Sequence, residues 1–224
     1  MQQIPLAIGP QPLATFDSFL AQRNEAVVEH LQQLGESAAP VYLWGPAGCG
    51  KTHLMRALAH RLQLQGRGVG WFDGSDPVPW TAVPGWALVI VDACDRLDAV
   101  AQAAAFTLFV ETSAMGALWV AAGRMPPVDL PLRDDLRTRL AWGHVFAVHP
   151  LAEAETRAAL RREADRRGIF LSDDVMSYLL SRFQRDLGHL MQLLDRLDQY
   201  ALARSRAVTV ALVRSMVNEE QALP

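Results

Sequence analysis

The chain has 224 residues, half of them apolar, and a formal net charge of −3, enough to bury one α/β domain with a small appendage. That charge sets up no global field toward nucleic acid or an anionic membrane, and no apolar run reaches the roughly 18 residues of a membrane span. The N-terminus lacks the basic start and apolar core of a secretion signal. Two cysteines, Cys49 and Cys94, make no disulfide framework, so a reduced, cytoplasmic protein is expected.

Residues 1–14 carry Pro5, Pro10 and Pro12 and no charge, which excludes a regular helix and predicts an extended segment. Thr15-Phe16-Asp17-Ser18-Phe19 then leads into a helical stretch ending near Gly35, with Val27, Val28, Leu31 and Leu34 on one face. A short strand, Val41–Trp44, runs into Gly45-Pro46-Ala47-Gly48-Cys49-Gly50-Lys51-Thr52, and a helix follows to about Gln65. Strand, G-x-x-x-x-G-K-T loop and helix in that order are the context of a P-loop. The glycines let successive N–H groups turn into one concavity that cradles phosphate oxygens, and the helix N-terminus adds its dipole. Lys51 would reach the β- and γ-phosphates, and the Thr52 hydroxyl would ligate Mg²⁺.

Of the 21 basic residues 20 are arginine, and Lys51 is the single lysine. A compact, rotatable ammonium is retained where it suits the task better than a planar fork. His53, next along, joins the nucleotide-binding candidates, although its expected role is local packing or hydrogen bonding.

Further on, Val69–Phe72 is predicted as a strand, and Ala87–Val91 as a buried parallel strand closed by Asp92, the candidate Mg²⁺ carboxylate. Ala93 follows, where a hydrolase usually places a second acid to orient water. Asp95 could not substitute for that acid without a different backbone path. Residues 99–115 predict a helix, Leu118–Ala122 a strand, Arg133–Ala141 a helix and Val145–Val148 a fifth strand. The β-α-β alternation implies a parallel sheet with its ligand site at the strands' C-terminal ends. After Pro150 the pattern turns all-helical, with helices over 152–167, 173–182, 187–204 and 209–219 and with Ser172 and Thr209 as N-caps. Residues 151–220 hold 11 arginines and 11 acids, a small solvated bundle with no basic groove. The fold class is therefore α/β: a P-loop parallel-sheet domain over 15–150 and a helical lid over 151–224, preceded by the segment 1–14.

Together, Thr15–Phe19 with Asn24 ahead, the P-loop, Val91-Asp92 and Leu136-Arg137-Thr138-Arg139-Leu140-Ala141-Trp142-Gly143 resemble the DnaA-related AAA+ family, and its Hda branch most closely. The likeness spans roughly residues 13–220 and implies an AAA+ fold. It also implies that Arg139 is an arginine finger acting in trans on ATP bound to DnaA, whereas in isolation Arg139 would be one cation of a solvated helix face. Trp142 is expected to be a packing anchor. The family's polar sensor at the end of the fourth strand is missing from Leu118–Gly123. Gly188 stands at the second sensor position, which leaves open whether Arg185 one turn upstream replaces it. A site with an intact loop and acid but without the water-orienting acid and both sensors should bind nucleotide and turn it over poorly.

Gln3, Ile4, Leu6 and Ile8 are similar to the peptides with which bacterial proteins bind the sliding clamp: alternate apolar side chains fill a pocket and an amide fixes register. Resemblance to the family then implies an ADP- or ATP-bound, Mg²⁺-dependent adaptor. It would dock on the DNA polymerase sliding clamp, stimulate hydrolysis of DnaA-bound ATP and so prevent re-initiation. No sequence-specific DNA binding and no membrane binding are expected, since the sequence stops where DnaA continues into a DNA-binding domain, and a homodimer is left open. The alternative is a DnaA-like AAA+ ATPase acting as a helicase loader. A small-molecule kinase fits less well, because its substrate residues would sit in a lid that here is a plain helical bundle.

Overall fold

The computed structural model of the protein describes residues 14–35, 39–183 and 186–221. They form two compact units divided between Pro150 and Leu151.

In the first unit five strands make one parallel sheet: β1 Val41–Trp44, β2 Gly68–Phe72, β3 Trp86–Val91, β4 Leu118–Gly123 and β5 His144–Ala147, in the order β2-β3-β4-β1-β5. All four pairings are parallel, with Val41 opposite both Val120 and His144. Every residue of β4 is buried, as are the last five of β3. This is why these segments read as unbroken apolar runs: a parallel sheet carries helices on both faces.

Alternation along the strands sorts the core into two layers. Val41, Leu43, Leu88, Ile90, Val120 and Ala122 face α1 (Glu25–Gln33) and α2 (Lys51–Leu64), meeting Val27, Leu31, Leu54, Met55, Leu58 and Leu62. Tyr42, Val89, Val91, Trp119 and Ala121 face α3 (Ala99–Ala114) and α4 (Asp134–Trp142), meeting Ala105, Leu108, Phe109, Leu136 and Leu140. Because β4 lies between β1 and β3, the chain leaving β1 must cross to the far edge before returning. The residues after β1 and after β3 therefore meet at one end of the sheet, where a topological switch point leaves a crevice.

The second unit is four helices: α5 Glu153–Arg166, α6 Asp173–Arg182, α7 Leu187–Arg204 and α8 Val210–Gln221. Leu160, Val175, Met176, Leu179, Leu190, Leu193, Leu194, Leu197 and Val213 fill its core. The expected caps are in place, with Ser172 Oγ accepting from the Val175 N–H at 3.4 Å and Thr209 Oγ1 from the Leu212 N–H at 3.2 Å. Asp186 Oδ1 caps α7 by accepting from the His189 N–H at 2.8 Å. Three arginines in and just after α5 are committed to internal pairs: Arg161 with Asp173, Arg166 with Glu163, and Arg167 with Glu163 and Asp195.

A candidate nucleotide-binding site

From Trp44 the chain turns through residues 45–50 into α2. Gly45, Gly48 and Gly50 have φ of 153°, 75° and 104°, and Gly50 is the N-cap of α2. A side chain in that left-handed step would be strained, so the turn depends on glycine. Lys51 Nζ donates to the carbonyls of Gly45 at 2.8 Å and Pro46 at 2.9 Å. Among the described residues no carboxylate pairs with Lys51, so the chain's one ammonium adds an uncompensated charge to a helix N-terminus. That donor set fits phosphate.

Thr52 Oγ1 donates to Asp92 Oδ2 at 2.7 Å, and Asp92 Oδ1 accepts from the Ala93 N–H at 2.8 Å. A hydroxyl from α2 and a carboxylate from the end of β3 thus converge, the hard-oxygen pair that fits Mg²⁺. His53 Nε2 is hydrogen-bonded with the Thr15 carbonyl at 2.9 Å and with Ser18 Oγ at 3.3 Å. Its ring lies 5.5 Å from that of Phe19, which packs against Gly50. His53 therefore fastens the Thr15–Phe19 segment to the P-loop by the local hydrogen bonding expected of it. Buried Asn24 bonds both backbone groups of His149, donating to its carbonyl at 2.9 Å and accepting from its N–H at 2.8 Å.

Beyond Asp92 the path departs from a plain strand-to-loop exit. Ala93 takes left-handed φ and ψ of 48° and 41° and starts a 3₁₀ turn, Cys94–Arg96. This is the different path that the sequence requires before Asp95 could act, but it delivers Asp95 to Arg124 and not to the Asp92 carboxylate. The Asp95 carboxylate accepts from Arg124 Nε at 2.6 Å and from the Arg124 N–H at 3.2 Å. Reasoning from sequence missed this pair. The available signal was an arginine directly after the fourth strand and an acid three residues past Asp92, at the ends of neighbouring strands. Behind it, burial pushes the Cys94 thiol up to about 12 and raises the Tyr42 phenol well above its ordinary range, so both are protonated hydrogen-bond donors at neutral pH.

Arg133 at the N-cap of α4 and Arg137 and Arg139 within it have different partners. Arg133 pairs with Asp135 at 2.7 Å and Arg137 with Asp134 at 2.6 Å. Arg139 has no carboxylate partner among the described residues, and its guanidinium lies 5.8 Å from the Phe109 ring centre. It lines an open groove of about 500 Å³ with Phe106, Asp134, Asp135, Thr138 and Trp142. Trp142 is 74 % exposed, so it is a surface residue and not the expected packing anchor. At the end of α4 its side chain extends past the last buried position, Leu140.

Gly188 lies in the first turn of α7. Arg185 and the peptide Gln3, Ile4, Leu6 and Ile8 lie outside the described residues. No helix among the described residues is long and apolar enough to cross a membrane.

Parallel sheet, P-loop and convergent threonine and aspartate define a P-loop NTPase-type module of the AAA+ class. The family model for the Hda lid domain matches residues 153–217, and that for the bacterial DnaA ATPase domain matches residues 11–69. A Haemophilus influenzae protein described as uncharacterized is 26 % identical, covering 97 % of this chain and 99 % of its own. Domain III of the Thermotoga maritima replication initiation protein DnaA superposes with a TM-score of 0.74 at 18 % identity, over 94 % of this chain and 98 % of that one. AMPPCP-bound DnaA from Aquifex aeolicus gives 0.66 at 18 % identity, over 84 % and 66 %. The Thermotoga maritima RuvB Holliday junction branch migration motor gives 0.65 at 18 % identity, over 92 % and 71 %. The chain thus has an α/β AAA+ fold, with an N-terminal segment similar to the bacterial DnaA ATPase domain and a C-terminal segment similar to the Hda lid domain.

Proposed function

We propose that the protein is a nucleotide-bound regulator of replication initiation that works on the ATP of DnaA. ADP or ATP is held by residues 45–53, with Mg²⁺ at Thr52 and Asp92. Bound there, the nucleotide and its cation would supply the charge that Lys51, the loop N–H groups and the hydroxyl–carboxylate pair are arranged to hold. Ala93 stands where an acid would orient water, so turnover in this site is slow. Arg139 reaches the nucleotide of DnaA and stabilises transition-state charge there, an effect of about 10³–10⁵ in rate for arginine fingers in general. Gln3, Ile4, Leu6 and Ile8 dock on the sliding clamp, which confines the activity to replicated DNA and prevents re-initiation.

One observation carries this reading: Arg133 at the N-cap of α4 and Arg137 within it are spent on neighbouring aspartates, and Arg139 is not. An exposed, unspent guanidinium at a helix end is suited to an anion on a partner. A helicase loader that turns over its own ATP would need a water-orienting group beside Asp92, and Ala93 cannot provide one.

The deciding experiment measures hydrolysis of DnaA-bound ATP in the presence of clamp loaded on DNA. Arg139→Ala should retain nucleotide and clamp binding and lose stimulation. Lys51→Ala should lose nucleotide, and Gln3→Ala should lose clamp capture with nucleotide retained. Normal stimulation by Arg139→Ala, or self-turnover at the rate of a working loader, would overturn the proposal.

A further inference from the structure

The described residues begin at Ala14, and Ala14 is itself one wall of an open groove of about 270 Å³. The other walls are Arg56, Ala59, His60 and Gln63 along α2, and Trp71 near the end of β2. Since β2 is an edge strand of the sheet, no neighbouring strand carries side chains beyond Trp71. The Arg56 guanidinium carbon lies 6.0 Å from the centre of the Trp71 ring. Among the described residues Arg56 has no carboxylate partner, and the side chains of His60, Gln63 and Trp71 take no hydrogen-bond partner. Guanidinium, imidazole, amide and indole N–H thus gather around one indole. No acid occurs from Ser37 to Phe72, so the segment that carries these donors does not neutralise them.

Such a groove suits a chain with spare carbonyls and apolar bulk, and the segment that arrives at it has both. Residues 8–13 read Ile-Gly-Pro-Gln-Pro-Leu, without charge. Pro10 and Pro12 bring carbonyls but no N–H, and each biases the residue before it toward extended or polyproline geometry. Polyproline segments dock on aromatic-lined grooves at low entropic cost, with their solvated carbonyls open to donors. Leu13 is bonded directly to Ala14, and consecutive Cα atoms are about 3.8 Å apart, so the segment starts at the groove itself. An anionic polymer fits less well, because one unpaired guanidinium is a thin footing where nucleic-acid contact draws on several cations.

We propose that Pro12 and Leu13 of this chain seat on Trp71 in the groove beside α2, with carbonyls of the segment accepting from the donors that line it. The seat stands apart from the proposed function, and only its consequence rests on that reading. Ile8 is four residues from Pro12, roughly 12 Å of polyproline chain, so the seat fixes where the clamp-binding peptide leaves the domain. Trp71 packs with the layer of α1 and α2, whereas Arg139 lies by Phe109 in the layer of α3 and α4. Clamp and DnaA would then be engaged from opposite faces of one sheet and would not compete for surface.

The test is hydroxyl-radical footprinting of the full chain, read at Trp71 and Leu13 by mass spectrometry. The double variant Pro12→Ser, Leu13→Ser should raise Trp71 oxidation several-fold, and Trp71→Ala should raise Leu13 oxidation likewise. Trp71 oxidation unchanged in the double variant would overturn the inference. So would protection of Trp71 that fades on dilution, which assigns the groove to a second copy, or protection gained only on adding an oligo-dT strand, which assigns it to nucleic acid. Should Trp71→Ala fail to fold, the double variant decides alone. A parent chain that fails to capture the clamp would overturn the stated consequence, and the footprint would still decide the seat.

Discussion

Ala93 is a non-glycine residue in the left-handed region, and it sits between the two acids that matter most, Asp92 and Asp95. A left-handed alanine costs roughly 1–2 kcal/mol relative to a right-handed one. The fold accepts that cost because the step returns the Ala93 N–H to Asp92 Oδ1 and carries Asp95 to Arg124. Ala93→Gly should relieve the strain and, after the entropy that glycine loses on folding, raise stability by about 0.5–1 kcal/mol in urea unfolding. A loss of stability would mean that the alanine methyl packs usefully. Asp95 itself illustrates how far spacing alone reaches: three residues past Asp92 says that an acid is near, and only the turn says which partner it meets.

Among the elements, α5 is bound to its neighbours by charge. Glu163 accepts from Arg166 and Arg167, and these partners, Arg166 foremost, hold its carboxyl down at about 2, against 4.5 for an unperturbed glutamate. The folded value lies below the unfolded one, so the stabilisation is complete above pH 4.5 and is lost as pH falls toward 2. Glu163→Gln should flatten the acid limb of lid unfolding, followed by circular dichroism, because it lowers stability at pH 7 by the loss of the pairs with Arg166 and Arg167 and leaves stability near pH 2 unchanged. An unchanged acid limb in Glu163→Gln would show that other carboxylates dominate there. The helix boundaries tell a related story. Ser172, Thr209 and Asp186 accept from the N–H groups of the first turns, and a side-chain oxygen before an apolar run is a local signal. This is why α6 and α8 start within a residue of where the sequence places them.

For the molecule as a whole, the nucleotide loop and the free arginine answer to different partners under the proposed function. Lys51, Thr52 and Asp92 serve this chain's own nucleotide, whereas Arg139 and exposed Trp142 share a groove on α4 that faces outward. Trp142→Ala should alter folding stability by no more than about 0.5 kcal/mol, as for other surface positions, while weakening stimulation of DnaA-bound ATP hydrolysis. A large loss of stability would restore the packing-anchor role that the exposure of this side chain contradicts.

Much of the protein is local information. The P-loop strand, turn and helix, the buried runs of β3 and β4, and the capped helices after Pro150 each depend on neighbours within about one turn or one strand, so periodicity, glycines and capping residues reveal them. The parallel sheet follows from the alternation of strands and helices. What the tertiary structure decided is every pairing between distant segments: Thr52 with Asp92 across an intervening strand, His53 with Thr15, Asn24 with His149, and Asp95 with Arg124. It also decided which of three neighbouring arginines stays unspent, and that the tryptophan beside them is surface. Those outcomes depend on strand order and on the left-handed step at Ala93, and neither leaves a mark in the spacing of residues along the chain.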